Sequence, residues 1–143
     1  MGDPAADERE ITRLATEYGH LVDARRWSEF DRIFTEDAVF DSTDFGSSLR
    51  EGLAVLQRDF AALGDGHPIC HHATNIVVDL VDGDRARVRS KGFCIRADGS
   101  TFSCIYLDEA VRTDRGWRLS RRTALLRRPW SEASEAQLSG HLG

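Results

Sequence analysis

Three turn signals divide the second half of the chain at nearly regular intervals. They are Asp82-Gly83, Asp98-Gly99 and Asp114-Arg115-Gly116. Each of the four segments between and around them holds β-branched or aromatic residues with partial alternation, over residues 69–80, 85–96, 101–112 and 117–127. Short, regularly spaced turns between such segments predict an antiparallel β-meander.

The first half of the chain has mainly helical patterning. Apolar residues recur at helical spacing from Ile11 to Val22 and predict a first helix over about residues 7–24, which Asp7-x-x-Glu10 would cap. Ser28-x-x-Asp31 predicts a short second helix that ends near Thr35, and residues 38–43 predict a short strand. A third helix is expected after Ser47, Ser48 and Glu51, with one apolar face made by Leu53, Leu56, Phe60 and Leu63.

This order of elements predicts one α+β domain. Helices that are separated in sequence from a long meander pack on one side of the sheet that the meander forms. We expect a cone-shaped α+β barrel, in which three N-terminal helices cover a strongly bent antiparallel sheet and enclose a pocket. A length of 143 residues suits one domain, which we assign to residues 1–128, with a C-terminal tail over residues 129–143.

Composition and missing motifs exclude several classes of function. A net charge of -5 argues against nucleic-acid binding, and no apolar run is long enough for a membrane span. The acidic N-terminus is unlike a signal peptide, so we expect a cytoplasmic protein. The three cysteines form no C-x-x-C pair, and the chain has neither G-x-G-x-x-G nor a P-loop. We therefore expect reduced cysteines, no metal site and no cofactor.

Two polar residues of the first helix are candidates for chemistry. Tyr18 lies on the apolar stripe, where its ring can be buried with the hydroxyl pointing into a cavity or towards the surface. Asp23 lies roughly 140° from Tyr18 around the helix, at about 100° per residue. It reaches a shared cavity only if the helix ends or bends there, and is otherwise a solvated acid.

The first long strand opens with two adjacent histidines, which point to opposite faces of a sheet. Strict alternation favours His72 for the inner face, because it shares parity with Ile76 and Val78. A bulge near the start of the strand would reverse this and favour His71. Histidine is the side chain best suited to proton transfer near neutral pH. On the last strand, Arg118 and Arg122 share one face and Arg121 takes the other, and one of the three is a candidate to reach inward towards developing negative charge.

Several of these residues occur in a combination that resembles the nuclear-transport-factor-2-like superfamily, and specifically its SnoaL-like branch, which includes scytalone dehydratase. The resemblance covers about residues 7–128. It rests on Tyr18-x(4)-Asp23, on Trp27-x(6)-Phe34-Thr35-Glu36-Asp37-Ala38-Val39, on His71-x-x-Thr74-Asn75, and on Gly116-Trp117-Arg118-Leu119 with Arg122 five residues after the tryptophan.

The resemblance implies a catalytic set of Tyr18, Asp23, His71 and Arg122. Asp23 would orient His71, the general base, while Tyr18 would donate a proton or hydrogen bond and Arg122 would stabilise negative charge. Its match to His71 overrides the parity argument for His72. The implied substrate-binding residues are Trp27, Phe34, Phe40, Phe60, Asn75, Phe102 and Tyr106.

The implied function is a cofactor-independent lyase that performs a dehydratase-type elimination. Its substrate would be small, hydrophobic and polycyclic, such as a polyketide, steroid or terpenoid. Two alternatives stay open: an isomerase or cyclase that uses the same base, and a non-catalytic ligand-binding or assembly module of the same fold. We also expect a homo-oligomer, a dimer or a trimer, built partly through the outer face of the sheet.

Overall fold

The computed structural model describes residues 2–129 of the chain. The tail expected at residues 129–143 therefore lies outside the described residues, apart from Pro129. Two α-helices are present in the described part, α1 (Pro4–Asp23) and α2 (Leu53–Leu63). The strands are β1 (Phe34–Asp41), β2 (Arg50–Glu51), β3 (Cys70–Leu80), β4 (Arg85–Ile95), β5 (Thr101–Thr113) and β6 (Gly116–Leu126). No helix within residues 2–129 combines the length and the apolar character that a membrane crossing needs.

The sheet has six strands in the order β2-β1-β6-β5-β4-β3. The four long strands match the predicted segments within one or two residues at each end, so the meander is confirmed. The α+β class with helices over a bent sheet is also confirmed, and the sheet is open. One pairing differs from the expected antiparallel arrangement, because β1 runs parallel to β6. Parallel neighbours need a long crossover, which α2 and β3 to β5 provide here.

The first helix begins earlier than predicted. Asp3 is its N-cap and accepts from the backbone N–H of Ala5 at 3.0 Å, and Pro4 occupies the first turn. Asp7 is not the cap. It is buried and accepts hydrogen bonds from Trp117 Nε1 at 3.0 Å and from Arg112 Nη2 at 2.7 Å. Asp7 thereby ties α1 to the last two strands.

The segments between the helices also depart from the prediction. The second helix is a short 3₁₀ helix, Trp27–Arg32, and β1 starts at Phe34 rather than at residue 38. The third helix starts at Leu53, because residues 42–49 form a loop and Arg50–Glu51 pair with β1 as strand β2. This loop brings residues 42–50 to the open end of the sheet.

The core lies between the helices and the inner face of the sheet, and aromatic rings fill its centre. Phe30, Phe34, Phe40 and Phe60 are buried, and neighbouring ring centroids lie 5.3–6.3 Å apart in tilted or edge-to-face arrangements. Such pairs add stabilisation beyond the burial of their area. One cavity lies at the end of the sheet where His71 and residues 42–50 meet.

Candidate active site

Asp23 and His71 form a hydrogen-bonded pair between α1 and β3. The Asp23 carboxylate accepts from His71 Nδ1 at 2.6 Å, and also from the His71 backbone N–H at 3.0 and 3.1 Å. The helix ends at Asp23, and Arg25 has a φ of 57°, which turns the chain away. Asp23 can therefore reach inward, because the helix ends at this residue.

A β-bulge decides which histidine faces inward. The pairing of β3 with β4 shifts between Thr74 and Val77, and Asn75 has a φ of 53°. Asparagine adopts this left-handed conformation more readily than most residues. The extra residue lets Ile76 and His71 share the inner face, although they differ in parity. The bulge thus places His71, and not His72 as alternation predicts, at the cavity; the role of His71 as a base stays a prediction.

His72 lies on the opposite face of the sheet. Its ring stacks on Phe93 with centroids 4.3 Å apart and planes 9° from parallel. Its Nε2 lies 3.0 Å from Cys70 Sγ. The side chain is thus occupied by contacts away from the core, which makes His72 a suitable control in experiments on His71.

His71 lines a cavity of about 180 Å³ at the open end of the sheet. Five other residues predicted for the site also line it, and they are Tyr18, Phe40, Phe60, Phe102 and Tyr106. Sites for drug-sized ligands typically have about 300–1,000 Å³. The cavity is therefore sized for a ligand with one or two rings.

Besides Asp23, which contacts His71 from behind, four of the predicted residues do not line this cavity. Trp27 lies behind His67 and stacks on its ring with centroids 5.1 Å apart. Phe34 is buried in the aromatic core. Asn75 lies at the bulge and faces a separate groove on the outer side of the sheet. The fourth is Arg122, which lies behind the cavity wall.

Arg122 is fully buried and forms a two-pronged ion pair with Asp108. Its Nε and Nη2 donate to the two carboxylate oxygens at 2.8 and 2.9 Å. The guanidinium carbon lies 4.4 Å from the centroid of the Tyr18 ring and 4.2 Å from that of Tyr106. Arg122 thus supports the two tyrosines through cation–π contacts, since their rings separate it from the cavity.

Tyr18 keeps its proton in this environment. Burial raises the pKa of the Tyr18 phenol well above its ordinary value, and the nearby positive charge of Arg122 only partly opposes this effect. The ring also packs edge-on to His71, with centroids 6.2 Å apart. A neutral hydroxyl beside the histidine can donate a hydrogen bond to a ligand oxygen.

Several residues that line the cavity are not predicted from the sequence. Residues 42–50 contribute Ser42, Phe45, Ser47 and Arg50, whereas the sequence predicts the start of a helix after Ser47 and Ser48. The loop's role depends on long-range pairing of β2 with β1, which has no local sequence signal. The remaining lining residues are Leu63, His67, Pro68, Cys94, Cys104 and Ala124.

His67 lies beside His71 but has a different environment. Its Nε2 lies 2.8 Å from the carbonyl oxygen of Phe60, which can only accept, so Nε2 carries a proton. Burial lowers the pKa of the His67 imidazole, and the nearby His71, Arg25 and Arg50 lower it further. His67 is therefore neutral near pH 7. Within residues 2–129, no three His, Cys, Asp or Glu side chains come together as the ligands of a metal ion would.

These features define a small α+β domain with an apolar cavity and a His–Asp pair at the cavity wall. The model of the SnoaL-like domain family matches residues 3–123. The chain therefore belongs to the SnoaL-like domain family, and it has the fold of the nuclear-transport-factor-2-like superfamily.

Three relatives illustrate this membership. An uncharacterized protein of Mycobacterium tuberculosis is 32% identical over 125 residues, which span 82% of this chain and 83% of the relative. A solved structure from Novosphingobium aromaticivorans, provisionally named an aromatic ring hydroxylase, is 31% identical, with a TM-score of 0.72 over 91% of this chain and 95% of that one. An NTF2-like protein with a cystatin-like fold from the same species is 26% identical, with a TM-score of 0.76 over 94% of this chain and 90% of that one.

Proposed function

We propose that this protein is a cofactor-independent enzyme that removes a proton from a carbon next to a carbonyl group. The observation that carries the proposal is the 2.6 Å hydrogen bond between His71 Nδ1 and Asp23, at the wall of an apolar cavity. A histidine whose one nitrogen donates to a carboxylate has its other nitrogen available as a base.

His71 is the proposed general base. With the proton on Nδ1 donated to Asp23, Nε2 is the unprotonated nitrogen of the neutral ring. The His71 side chain is 9% exposed and that of Asp23 25%. Nε2 takes the carbon-bound proton, and the Asp23 carboxylate stabilises the imidazolium that forms. Such a positioned base typically contributes about 10²–10⁴-fold in rate.

Tyr18 is the proposed hydrogen-bond donor to the oxygen that gains negative charge. The electron pair of the broken C–H bond moves into an enolate, whose oxygen needs a donor in a site with little water. Tyr106 packs edge-on to the ring of Tyr18 at a centroid distance of 5.9 Å. Both rings contact the guanidinium of Arg122. Arg122 and Tyr106 are positioning residues in this account.

The overall reaction that we favour is dehydration of a small, hydrophobic β-hydroxy ketone. After proton removal, the enolate expels the hydroxyl group from the β-carbon, and the imidazolium of His71 supplies the proton that makes it water, which restores the neutral base. An isomerase or cyclase begins with the same proton removal and is the second candidate. The hydrogen bond between Asp23 and His71 favours both over a non-catalytic binding module.

The test is turnover of bicyclic β-hydroxy ketones such as 3-hydroxy-1-tetralone, whose loss of water gives 1-naphthol. Formation of the naphthol is followed by its absorbance and fluorescence. We expect the wild type to accelerate dehydration, His71→Ala to lose about 10²-fold or more, and His72→Ala to resemble the wild type. Equal rates for wild type and His71→Ala, with both folded by circular dichroism, would overturn the proposal.

A further inference from the structure

Arg50 brings a buried positive charge to the cavity wall. It lies on β2, is 9% exposed as a residue, and lines the same cavity as His71. Its guanidinium carbon lies 5.6 Å from the centroid of the Phe60 ring, which forms part of the apolar wall. An arginine that is this deeply buried is normally matched by a partner, so its contacts indicate what it binds.

Two serines hold the guanidinium in place. Arg50 Nη1 donates to Ser42 Oγ at 3.0 Å, and Nη2 donates to Ser47 Oγ at 2.9 Å. Nη1 also makes a long contact of 3.5 Å with the carbonyl oxygen of Ser48. Because each serine oxygen accepts from Arg50, each hydroxyl proton is free to be donated elsewhere. Neither hydroxyl donates to an acceptor within residues 2–129.

Within the described residues, the charge of Arg50 is paired with one carboxylate, which a second arginine also binds. Its nearest carboxylate is Asp59, 3.4 Å from Arg50 Nε, and that carboxylate is also bound by the exposed Arg58 at 3.1 Å. Arg50 Nε itself is buried and has no hydrogen-bond partner within the described residues. Within residues 2–129 no carboxylate lines the cavity, since Asp59 lies outside it and Asp23 contacts His71 from behind.

We propose that the cavity selects a ligand that carries a carboxylate, with Arg50, Ser42 and Ser47 as its binding residues. The carboxylate would accept from the guanidinium and from the two hydroxyl protons, which supplies charge-assisted hydrogen bonds inside an apolar wall. The apolar remainder of the ligand, with one or two rings, would lie against Phe60 and Phe102 and reach towards His71. The inference deepens the proposed function by naming the substrate class of the same site: aromatic or alicyclic ring acids.

The test compares two probes of the same shape, 2-naphthoate and the neutral 2-naphthamide. Their dissociation constants are measured by calorimetry on the full chain near pH 7.5. We expect naphthoate to bind the wild type about ten-fold or more tightly than naphthamide, as charge-assisted hydrogen bonds provide. Equal affinities, or no saturable binding of naphthoate at millimolar concentration, would overturn the inference.

Variants test which residues cause the preference for naphthoate over naphthamide. Arg50→Gln should abolish it, and Arg50→Lys should keep part of it. Arg58→Gln is the matched control, because Arg58 contacts the same Asp59 but does not line the cavity. If Arg50→Gln does not fold, the double variant Ser42→Ala/Ser47→Ala tests the same site, and it should weaken naphthoate binding while leaving naphthamide unchanged. Retention of the full preference by the double variant and by Arg50→Lys would contradict the inference.

His71→Ala separates this inference from the proposed function. It removes the base but leaves Arg50 and the serines in place, so the preference for naphthoate should persist. A naphthoate preference without any His71-dependent turnover would mean that the binding site is correct and the proposed reaction wrong. His71-dependent turnover without a naphthoate preference would mean the reverse.

Discussion

Gly19 of α1 lies so close to His71 of β3 that a methyl group at position 19 would come within 2.7 Å of the His71 carbonyl oxygen. Only glycine allows the helix to approach the strand this closely. Asp23 lies about one helical turn further on, and its carboxylate contacts the backbone and the ring of the same histidine. The close approach at Gly19 therefore sets the distance across which Asp23 reaches His71.

Gly19→Ala should impair the site and lower stability together. The added methyl group forces α1 away from β3, which we expect to cost about 1–3 kcal/mol of the free energy of unfolding. It should also lengthen the hydrogen bond between Asp23 and His71 and reduce turnover. The control is Gly83→Ala, because a methyl group there meets no atom within 4 Å. Urea unfolding and turnover of the two variants are the measurements, and wild-type behaviour of Gly19→Ala would contradict this account.

The buried pair of Arg122 and Asp108 should be needed for folding and for the geometry of Tyr18. Asp108→Asn leaves a buried guanidinium without its counter-charge, which we expect to cost about 3–5 kcal/mol. Asp82→Asn, which removes one partner of an exposed pair with Arg85, should change stability little. Chemical denaturation compares the two, and a similar small effect of both substitutions would show that the buried pair has no special role.

Asp7 should make the fold sensitive to acid. Hydrogen bonds from Trp117 and Arg112 hold the pKa of the Asp7 carboxyl below its usual value. A lowered pKa in the folded state means that this stabilisation is present above the unfolded-state pKa of about 4 and is lost as the pH falls through the folded-state value.

Asp7→Asn tests this, because the amide oxygen can still accept from Trp117 but carries no charge. The variant should be less stable than the wild type at pH 7, and its stability should fall less between pH 5 and pH 2. Urea unfolding across this range gives the comparison. Parallel pH profiles for the two proteins would rule out a contribution from Asp7.

The outer face of the sheet should mediate self-association. Val77, Phe93 and Ile69 are large apolar side chains that are 38–60% exposed on the described chain. Such exposure near an uncovered sheet face favours a dimer or trimer. Light scattering at micromolar concentration should give a multiple of 16.0 kDa, and Phe93→Asp should reduce it. A monomer mass for the wild type would refute this expectation.

The fold was largely predictable because its signals are local. Each turn signal between the long strands is adjacent in sequence to the strands it connects, and the apolar stripe of α1 is one continuous pattern. The start of α1 was misjudged because Asp7, which has the right spacing for a cap, is instead bound by Trp117 across the core. The parallel pairing of β1 with β6 likewise depends on tertiary structure alone.

The site was predictable in part, for a comparable reason. Tyr18, Asp23 and His71 match the pattern of the family. Alternation alone favours His72 for the inner face, because the sequence does not indicate that Asn75 adopts a positive φ. The sequence does not distinguish aromatic residues that line the cavity from those of the core. Phe34 and Phe40 are the same residue type on one strand, but only Phe40 lines the cavity. Arg50 is not predicted, because it reaches the cavity only when β2 pairs with β1.

The measurement closest to the central claim is exchange of the α-protons of 1-tetralone and of its 6-carboxylic acid with D₂O, followed by NMR. These compounds have no leaving group, so the exchange reports proton removal alone. We predict that the wild type accelerates exchange, that His71→Ala falls by about 10²-fold or more towards the buffer rate, and that His72→Ala stays near the wild type. Exchange by His71→Ala at the wild-type rate, or a loss that occurs only in His72→Ala, would contradict the account.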